Sequence, residues 1–157
     1  MKNTTHLILD NIRSVHNVGS LFRTAETLGI SKIYCIGTTP TPLDRFGIKR
    51  TDFSKVSLGA EEYVQWEHHE SAEVVVKMLR KEKFCIVALE QAPSSVDYKS
   101  VILKGDTAII LGNEVEGVSP NLLKACDSIA EIPMLGKKES LNVSVAGAVF
   151  LYRLLDH

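Results

Sequence analysis

Apolar residues are spaced along this chain of 157 residues in two ways, and the shorter spacing indicates strands. Six short segments are predicted to be strands, and two of them are near-continuous apolar runs of the kind found in central parallel strands. The six segments are residues 6–10, 32–37, 63–66, 84–89, 107–111 and 128–132, of which 84–89 and 107–111 are the continuous runs.

The longer spacing predicts helices between these strands. Apolar residues recur at helical intervals from Val18 to Leu28, where Gly29 ends the pattern. The same spacing predicts helices over residues 71–82, with Val74, Val75, Met78 and Leu79 on one face, and over 141–155, with Val143, Ala146, Phe150 and Leu154 as the core stripe. Ser119 and Pro120 predict the start of a short helix, as cap and first residue. Residues 38–53 combine Pro and Gly with three basic residues and are predicted to be a long loop.

Strands that alternate with helices predict an α/β fold with a parallel sheet and helices on both faces. Hydrophobic residues make up 45% of the chain and charged residues 24%, which is an ordinary globular balance. The length suits one domain with a sizeable core. There is no internal repeat, low-complexity tract or linker, so residues 1–157 are expected to form a single domain.

The formal net charge of -1 excludes a protein whose whole surface grips nucleic acid. A nucleic-acid contact would need a local basic patch, such as Arg45, Lys49 and Arg50 in the predicted loop with Lys55 just after it. The cysteines Cys35, Cys85 and Cys126 stand far apart among apolar residues, so they are expected to be buried thiols rather than metal ligands. An odd cysteine count without a signal peptide favours a cytoplasmic setting. The apolar runs are too short to span a membrane.

Three segments place Gly beside Asn, Glu, Ser or Arg where a strand should meet a helix. In the first, at residues 17–23, Asn17 is a candidate N-cap and Gly19 a first-turn residue that lets a substrate approach the backbone. Arg23 lies on the same helical face as Gly19 and off the apolar stripe. A guanidinium beside free helix N–H groups predicts a phosphate-sized anion site. The alternative is a capped helix with a solvated Arg23.

The second and third segments are residues 111–117 and 132–143. Gly112 and Gly117 follow an apolar strand, at a strand end that commonly binds ligands in parallel sheets. Alternatively, both glycines only shape a turn, and Glu114 and Glu116 face water. In the third segment, Ser140 is a candidate N-cap and Asn142 a first-turn residue of the last helix.

Together, the three segments resemble the three motifs of the SpoU/TrmH family of RNA ribose methyltransferases, within the SPOUT class. The resemblance runs from about Leu7 to Leu155. It implies a parallel-sheet SPOUT fold with a deep C-terminal trefoil knot, and S-adenosylmethionine as the cofactor. One departure is Val115, where the family usually has Gly between the two Glu residues.

The resemblance also implies roles for single residues. The catalytic residues would be Asn17, Arg23, Glu114, Ser140 and Asn142. The cofactor would be held by Ala88, Leu89, Glu90, Leu111, Gly112, Asn113, Gly117, Ile132, Met134, Gly136 and Leu141. No metal is expected, because positioning an activated methyl group should suffice.

The function implied is 2'-O-methylation of a ribose in structured RNA, with tRNA favoured over rRNA. The resemblance implies a homodimer whose sites draw on both subunits, with no N-terminal RNA-binding extension and no membrane partner. Two alternatives share the fold: a SPOUT enzyme that methylates a base nitrogen, and a non-catalytic RNA-binding module. A dinucleotide-binding enzyme is disfavoured, since no G-x-G-x-x-G follows the first strand.

Overall fold

A computed structural model of the protein describes residues 2–156, and its centre is one seven-stranded parallel sheet. The strands are β1 (Thr5–Asp10), β2 (Lys32–Ile36), β3 (Gln65–His69), β4 (Cys85–Leu89), β5 (Val96–Asp97), β6 (Thr107–Leu111) and β7 (Ser128–Glu131). Their spatial order is β3-β2-β1-β6-β4-β7-β5, and every neighbouring pair is parallel. The α/β fold with a parallel sheet is therefore confirmed. The trefoil knot stays a prediction.

Five α-helices and two short 3-10 helices connect the strands. The α-helices are α1 (Val15–Thr27), α2 (Thr51–Ser57), α3 (Ala72–Lys81), α4 (Pro120–Lys124) and α5 (Val143–Leu155), and the 3-10 helices are Ala60–Glu62 and Tyr98–Ser100. One core cluster includes Phe22, Phe53 and Phe150, from α1, α2 and α5. A second includes Leu79 and Leu122, from α3 and α4. The two clusters confirm helices on both faces of the sheet.

The pattern of buried side chains explains which strand predictions succeeded. All five residues of β6 are buried, as expected for a central strand. β3 was predicted over residues 63–66 but runs from Gln65 to His69, because Tyr63 ends a 3-10 turn instead of entering the sheet. β5 was not predicted, since two exposed residues carry no pattern. On α3, Val74 is exposed while Val76 is buried, so the predicted apolar face is wrong at Val74.

The predicted loop over residues 38–53 is wrong at its end, because α2 begins at Thr51. Its residue Phe53 is fully buried and packs edge-on against Phe22, with ring centroids 5.1 Å apart. α2 lies directly on Gly19, where an added Cβ would come within 2.9 Å of the Val56 Cβ. Gly19 therefore serves close helix packing, and the prediction that a substrate approaches it is wrong.

The helix caps predicted in the first and third segments, Asn17 and Ser140, are both shifted along the chain. The N-cap of α1 is Ser14, whose Oγ accepts the Asn17 N–H at 3.2 Å, so Asn17 lies inside the first turn. The N-cap of α5 is Asn142 rather than Ser140. In both helices the capping oxygen satisfies N–H groups that have no partner within the helix.

The three cysteines are free, and the prediction of buried thiols is confirmed for Cys35, whereas Cys85 and Cys126 are only partly buried. Burial raises the pKa of the Cys35 thiol to about 12 and that of Cys126 to about 11. Among residues 2–156, no three His, Cys, Asp or Glu side chains are grouped so that they could hold a metal ion. Over the same residues, no helix has both the length and the apolar character that crossing a membrane requires.

Candidate active site

A cavity of about 530 Å³ opens where β4, β6 and β7 end. Parallel strands bring their carboxyl ends to one edge of a sheet, where α/β proteins bind ligands. The lining comprises Leu89, Glu90, Gln91, Leu111, Gly112, Asn113, Glu114, Val115, Glu116, Gly117, Glu131, Ile132, Met134, Glu139, Ser140, Leu141, Asn142, Val143 and Ala146. Two connections flank the cavity, and we call them the 112–118 wall and the 133–141 wall.

Asn113 builds the 112–118 wall from the inside. Its Oδ1 accepts the N–H groups of Val115 at 2.8 Å and of Glu116 at 3.0 Å, and its Nδ2 donates to the Asn11 carbonyl oxygen at 2.7 Å. The Gly117 N–H closes the turn on the Asn113 carbonyl oxygen at 2.9 Å. Val115 points outward, with 93% of its surface exposed and without positive φ. The wall therefore tolerates a side chain at the position where the resemblance expected Gly.

Two glycines allow this wall to close on itself. Gly117 has φ +67°, and an added Cβ would lie 2.0 Å from the Glu90 Oε2, which accepts the Val118 N–H at 2.9 Å. A Cβ on Gly112 would lie 2.4 Å from the Gly117 carbonyl carbon. The obstacles at Gly112 are backbone atoms, so they cannot move aside as a side chain could.

One side chain from each of the three segments joins a continuous hydrogen-bond relay at the cavity. The Asn142 Nδ2 donates to the Asn17 Oδ1 at 3.0 Å, and the Asn17 Nδ2 donates to the Glu114 Oε1 at 3.2 Å. Asn17 and Glu114 are 97 residues apart in the chain. The relay brings together three of the five predicted catalytic residues.

The helix cap on α5 determines how the relay is oriented. The Asn142 Oδ1 accepts the N–H groups of Ser144 at 2.9 Å and Val145 at 3.3 Å, so its Nδ2 must face Asn17. Asn17 then presents Oδ1 to Asn142 and Nδ2 to Glu114, which can only accept when ionised. A single arrangement thus satisfies all three side chains.

Glu114 occupies the start of α1 with its carboxylate. Its Oε2 accepts the Arg13 N–H and its Oε1 the Ser14 N–H, both at 3.1 Å. Partial burial alone would raise the pKa of Glu114, but backbone N–H groups, including those of Ser14 and Arg13, and the Asn17 amide hold it below its ordinary value. Glu114 thus places an anion of the chain itself just before α1, and the phosphate site predicted at this helix start stays a prediction.

Carboxylates dominate the charge around the cavity. Five glutamates line it and no lysine or arginine does, and the glutamates are Glu90, Glu114, Glu116, Glu131 and Glu139. Apolar side chains from Leu89, Leu111 and Ile132 form its inner surface. Such a cavity suits a ligand that combines apolar surface with a positive charge.

Four predicted residues lie outside the lining. Asn17 is buried behind the lining and belongs to the relay. Ala88 is buried in the second core cluster, which lies under α3 and α4. Gly136 lies on the 133–141 wall with no atom within 4 Å of an added Cβ. The Arg23 side chain is exposed on α1 and makes no hydrogen bond or ion pair with residues 2–156. The other predicted residues all line the cavity.

Sequence reasoning missed seven lining residues, which are Gln91, Val115, Glu116, Glu131, Glu139, Val143 and Ala146. Gln91 carried a usable signal, since it directly follows the strand end that supplies Leu89 and Glu90. Val143 and Ala146 were assigned to the core stripe of α5, but they are only partly buried and also face the cavity.

Two of the four residues in the basic stretch predicted to grip phosphates form ion pairs within the chain. Lys49 pairs with Glu62 at 2.5 Å, and Arg50 pairs with Asp52 at 2.8 Å. Lys55 lies on α2 and not in the loop. Arg45 covers the Phe46 ring, 4.8 Å from its centre.

Comparison with known proteins identifies what the chain resembles. Residues 4–152 match the model of the SpoU rRNA Methylase family. The chain is 30% identical over 148 residues to the tRNA (guanosine(18)-2'-O)-methyltransferase of Borreliella burgdorferi, covering 94% of this chain and 64% of that protein. The AdoMet-bound rRNA methyltransferase of Sinorhizobium meliloti superposes with a TM-score of 0.87 and 25% identity, covering 98% of this chain and 56% of that one. The A. aeolicus TrmH/SpoU tRNA modifying enzyme gives a TM-score of 0.84 and 27% identity, covering 97% and 74%. The chain thus spans less than two thirds of the first two proteins.

Proposed function

Because the chain belongs to the SpoU rRNA methylase family, we propose that it is an RNA ribose 2'-O-methyltransferase that uses S-adenosylmethionine. The observation that carries the proposal is the Asn142–Asn17–Glu114 relay, which joins all three motif segments at one cavity. The substrate is structured RNA, with tRNA favoured over rRNA. The B. burgdorferi and A. aeolicus relatives named for tRNA support that preference.

The cavity has the size and charge that this cofactor needs. Its volume of about 530 Å³ lies within the range of ordinary cofactor sites. Leu111, Ile132 and Leu141 would hold the adenine, and the surrounding glutamates suit a sulfonium charge. When bound, S-adenosylmethionine supplies a methyl group on a positively charged sulfur, which is already an activated leaving group. The protein then needs mainly to align a hydroxyl with that methyl group.

The relay assigns a positioning task to Glu114. Its oxygens accept three N–H donors, which lower its pKa, so Glu114 is a poor proton acceptor for the ribose hydroxyl. It holds the start of α1, and through Asn17 it fixes Asn142 at the cavity. Arg23 is a poor general base as a guanidinium. It orients an RNA phosphate and favours the ionised hydroxyl, and the proton leaves to that phosphate or to water.

The active unit is a homodimer. On α5, Val145, Val149 and Tyr152 are 49%, 40% and 47% exposed and share one face of the helix. Leu151 of the same helix is fully buried in the chain's own core, so it does not belong to this face. The exposed apolar face supports packing of α5 and α1 across a twofold axis. Arg23, which does not line its own cavity, completes the partner's site in this arrangement.

A methyl-transfer assay tests the reaction. Labelled S-adenosylmethionine is incubated with the protein and with either bulk tRNA or rRNA lacking ribose methylation, and the digested nucleosides are separated. We expect label on a 2'-O-methylnucleoside, mostly from tRNA. Label on a base would favour the base-methylating alternative, and cofactor binding without transfer to either RNA would favour the non-catalytic module.

Complementation tests the shared site. Arg23→Ala and Asn142→Ala are each expected to be nearly inactive when expressed alone. When they are co-expressed, random pairing gives about a quarter of the sites both intact residues, provided that Arg23 acts across the twofold axis. Recovery of about a quarter of wild-type activity supports the shared site. No recovery in verified mixed dimers would show that Arg23 acts within its own subunit.

A further inference from the structure

The 133–141 wall makes very few hydrogen bonds with the rest of the protein. Among residues 2–156, the backbone and side chains of 133–141 take part in a single hydrogen bond, in which the Gln91 Nε2 donates to the Glu139 carbonyl oxygen at 2.8 Å. Leu135 is 96% exposed, and Gly136 has no atom near its Cβ position. Between the end of β7 and the Asn142 cap, Gln91 is therefore the one polar tether of this wall.

The backbone of Gln91 is itself held firmly. Its N–H donates to the Glu90 Oε1 at 2.8 Å, while the Glu90 Oε2 accepts the Val118 N–H of the opposite wall. The Glu90 N–H donates to the Ala130 carbonyl oxygen at 2.9 Å. Glu90 and Gln91 thus connect the end of β4 to both walls of the cavity, one residue to each.

We propose that Gln91 is a positioning residue that holds the 133–141 wall in its cofactor-binding position and so sets the affinity for S-adenosylmethionine. The inference rests on the proposed function for the identity of the ligand. The tether needs an N–H donor of this length, because its acceptor is a backbone carbonyl. Without it, the wall has no polar contact to fix it, and binding must include the entropic cost of ordering it.

The substitution Gln91→Met tests the tether, since Met has a similar length and no donor. The matched control is Gln65→Met, because Gln65 is the chain's other glutamine and lies exposed on β3, at the far edge of the sheet. In calorimetry without RNA, Gln91→Met should raise the Kd for S-adenosylmethionine about three- to tenfold, as expected for one lost hydrogen bond. The control should bind like wild type. In RNA methylation, KM for the cofactor should rise while kcat at saturating cofactor stays unchanged.

Trypsin provides a readout that needs neither cofactor nor activity. Lys137 and Lys138 lie within the wall and are exposed, so cleavage there reports how readily the wall leaves its position. Gln91→Met should be cut faster at these lysines than wild type and Gln65→Met, at equal thermal midpoints.

The outcomes separate the tether from the proposed function. Wild-type binding with equal Kd and equal cleavage in Gln91→Met would overturn the tether and leave the proposed function standing. A kcat at saturating cofactor that falls with the affinity would assign Gln91 a general structural role and also overturn it. If wild type does not bind S-adenosylmethionine, the proposed function and the affinity claim both fail.

Discussion

The two walls of the cavity are built in opposite ways. The 112–118 wall is closed by hydrogen bonds from Asn113 and Glu90, and its glycines allow backbone contacts that no side chain could enter. Within the described residues 2–156, the 133–141 wall makes one hydrogen bond, and no atom lies within 4 Å of a Cβ added to Gly136. We infer from this contrast that one side of the cavity is formed in advance and that the other can adapt to its ligand. The relay connects the two, because Glu114 belongs to the first wall and Asn142 directly follows the second.

The largest effect should come from cutting this connection at Asn142. In Asn142→Ala, the buried Asn17 Oδ1 loses its donor, at a cost of about 1–3 kcal/mol. If that cost falls on the transition state, turnover drops about 10- to 100-fold, and cofactor binding weakens as well. RNA methylation and calorimetry measure the two effects.

Asn142→Asp is the matched variant, because it keeps the capping oxygen and lacks the amide donor. Its free energy of unfolding should fall only by the cost of the unpaired Asn17 Oδ1, less than in Asn142→Ala, which loses the cap as well, and turnover should still fall. Wild-type turnover in Asn142→Asp would show that Asn142 acts only as the cap of α5.

The second-largest effect should appear when one substitution, Gly to Ala, is made in each of the two walls. Gly112→Ala forces a Cβ to within 2.4 Å of backbone in the 112–118 wall, so the free energy of unfolding should fall by about 1–3 kcal/mol. Gly136→Ala meets no atom within 4 Å and should change it by less than about 0.5 kcal/mol. Denaturant titration of both variants measures the contrast. Equal losses would mean that the 133–141 wall is packed as tightly as its opposite.

A pH titration should detect the charge that anchors the 112–118 wall to α1. The pKa of Glu114 is lowered in the folded state, so the ionised carboxylate stabilises the fold above the ordinary value of 4.5. That contribution is lost as the pH falls from 4.5 through the lowered pKa. The difference in unfolding free energy between wild type and Glu114→Gln should therefore shrink on acidification. A difference that is constant over this window would show that the carboxylate charge contributes nothing.

The smallest effect is expected at Val115, the chain's departure from the family motif. Its side chain is exposed and its backbone needs no positive φ. Val115→Gly should change the free energy of unfolding by less than about 0.5 kcal/mol and leave cofactor affinity unchanged. A clear gain in affinity would mean that Val115 obstructs the cavity.

Periodicity in the sequence was enough to predict the strands of the sheet centre and the long helices. The strand over residues 107–111 was predicted with the bounds found for β6, because burial on both faces leaves a continuous apolar run. The helix α2 was missed, since its one large buried side chain, Phe53, produces no stripe in seven residues.

The sequence predicted most residues of the site, but it did not predict how their side chains contact one another. Ser14 and Asn17 are both good capping residues, and so are Ser140 and Asn142, so residue type alone could not choose between them. The choice depends on partners distant in the chain. Glu114 takes the start of α1, and Asn17 turns inward to link it with Asn142. Such contacts, across 97 and 125 residues, leave no periodic trace in the sequence.

The most direct test of the account is amide hydrogen exchange with and without S-adenosylmethionine. The claim is that the cofactor binds between one wall formed in advance and one that adapts. We expect the cofactor to slow exchange strongly over residues 133–141, whose N–H groups have no hydrogen-bond partner among residues 2–156, and only slightly over residues 112–118. Slowed exchange confined to another region, such as the cleft around residues 61–67, or no change at saturating cofactor, would contradict the account.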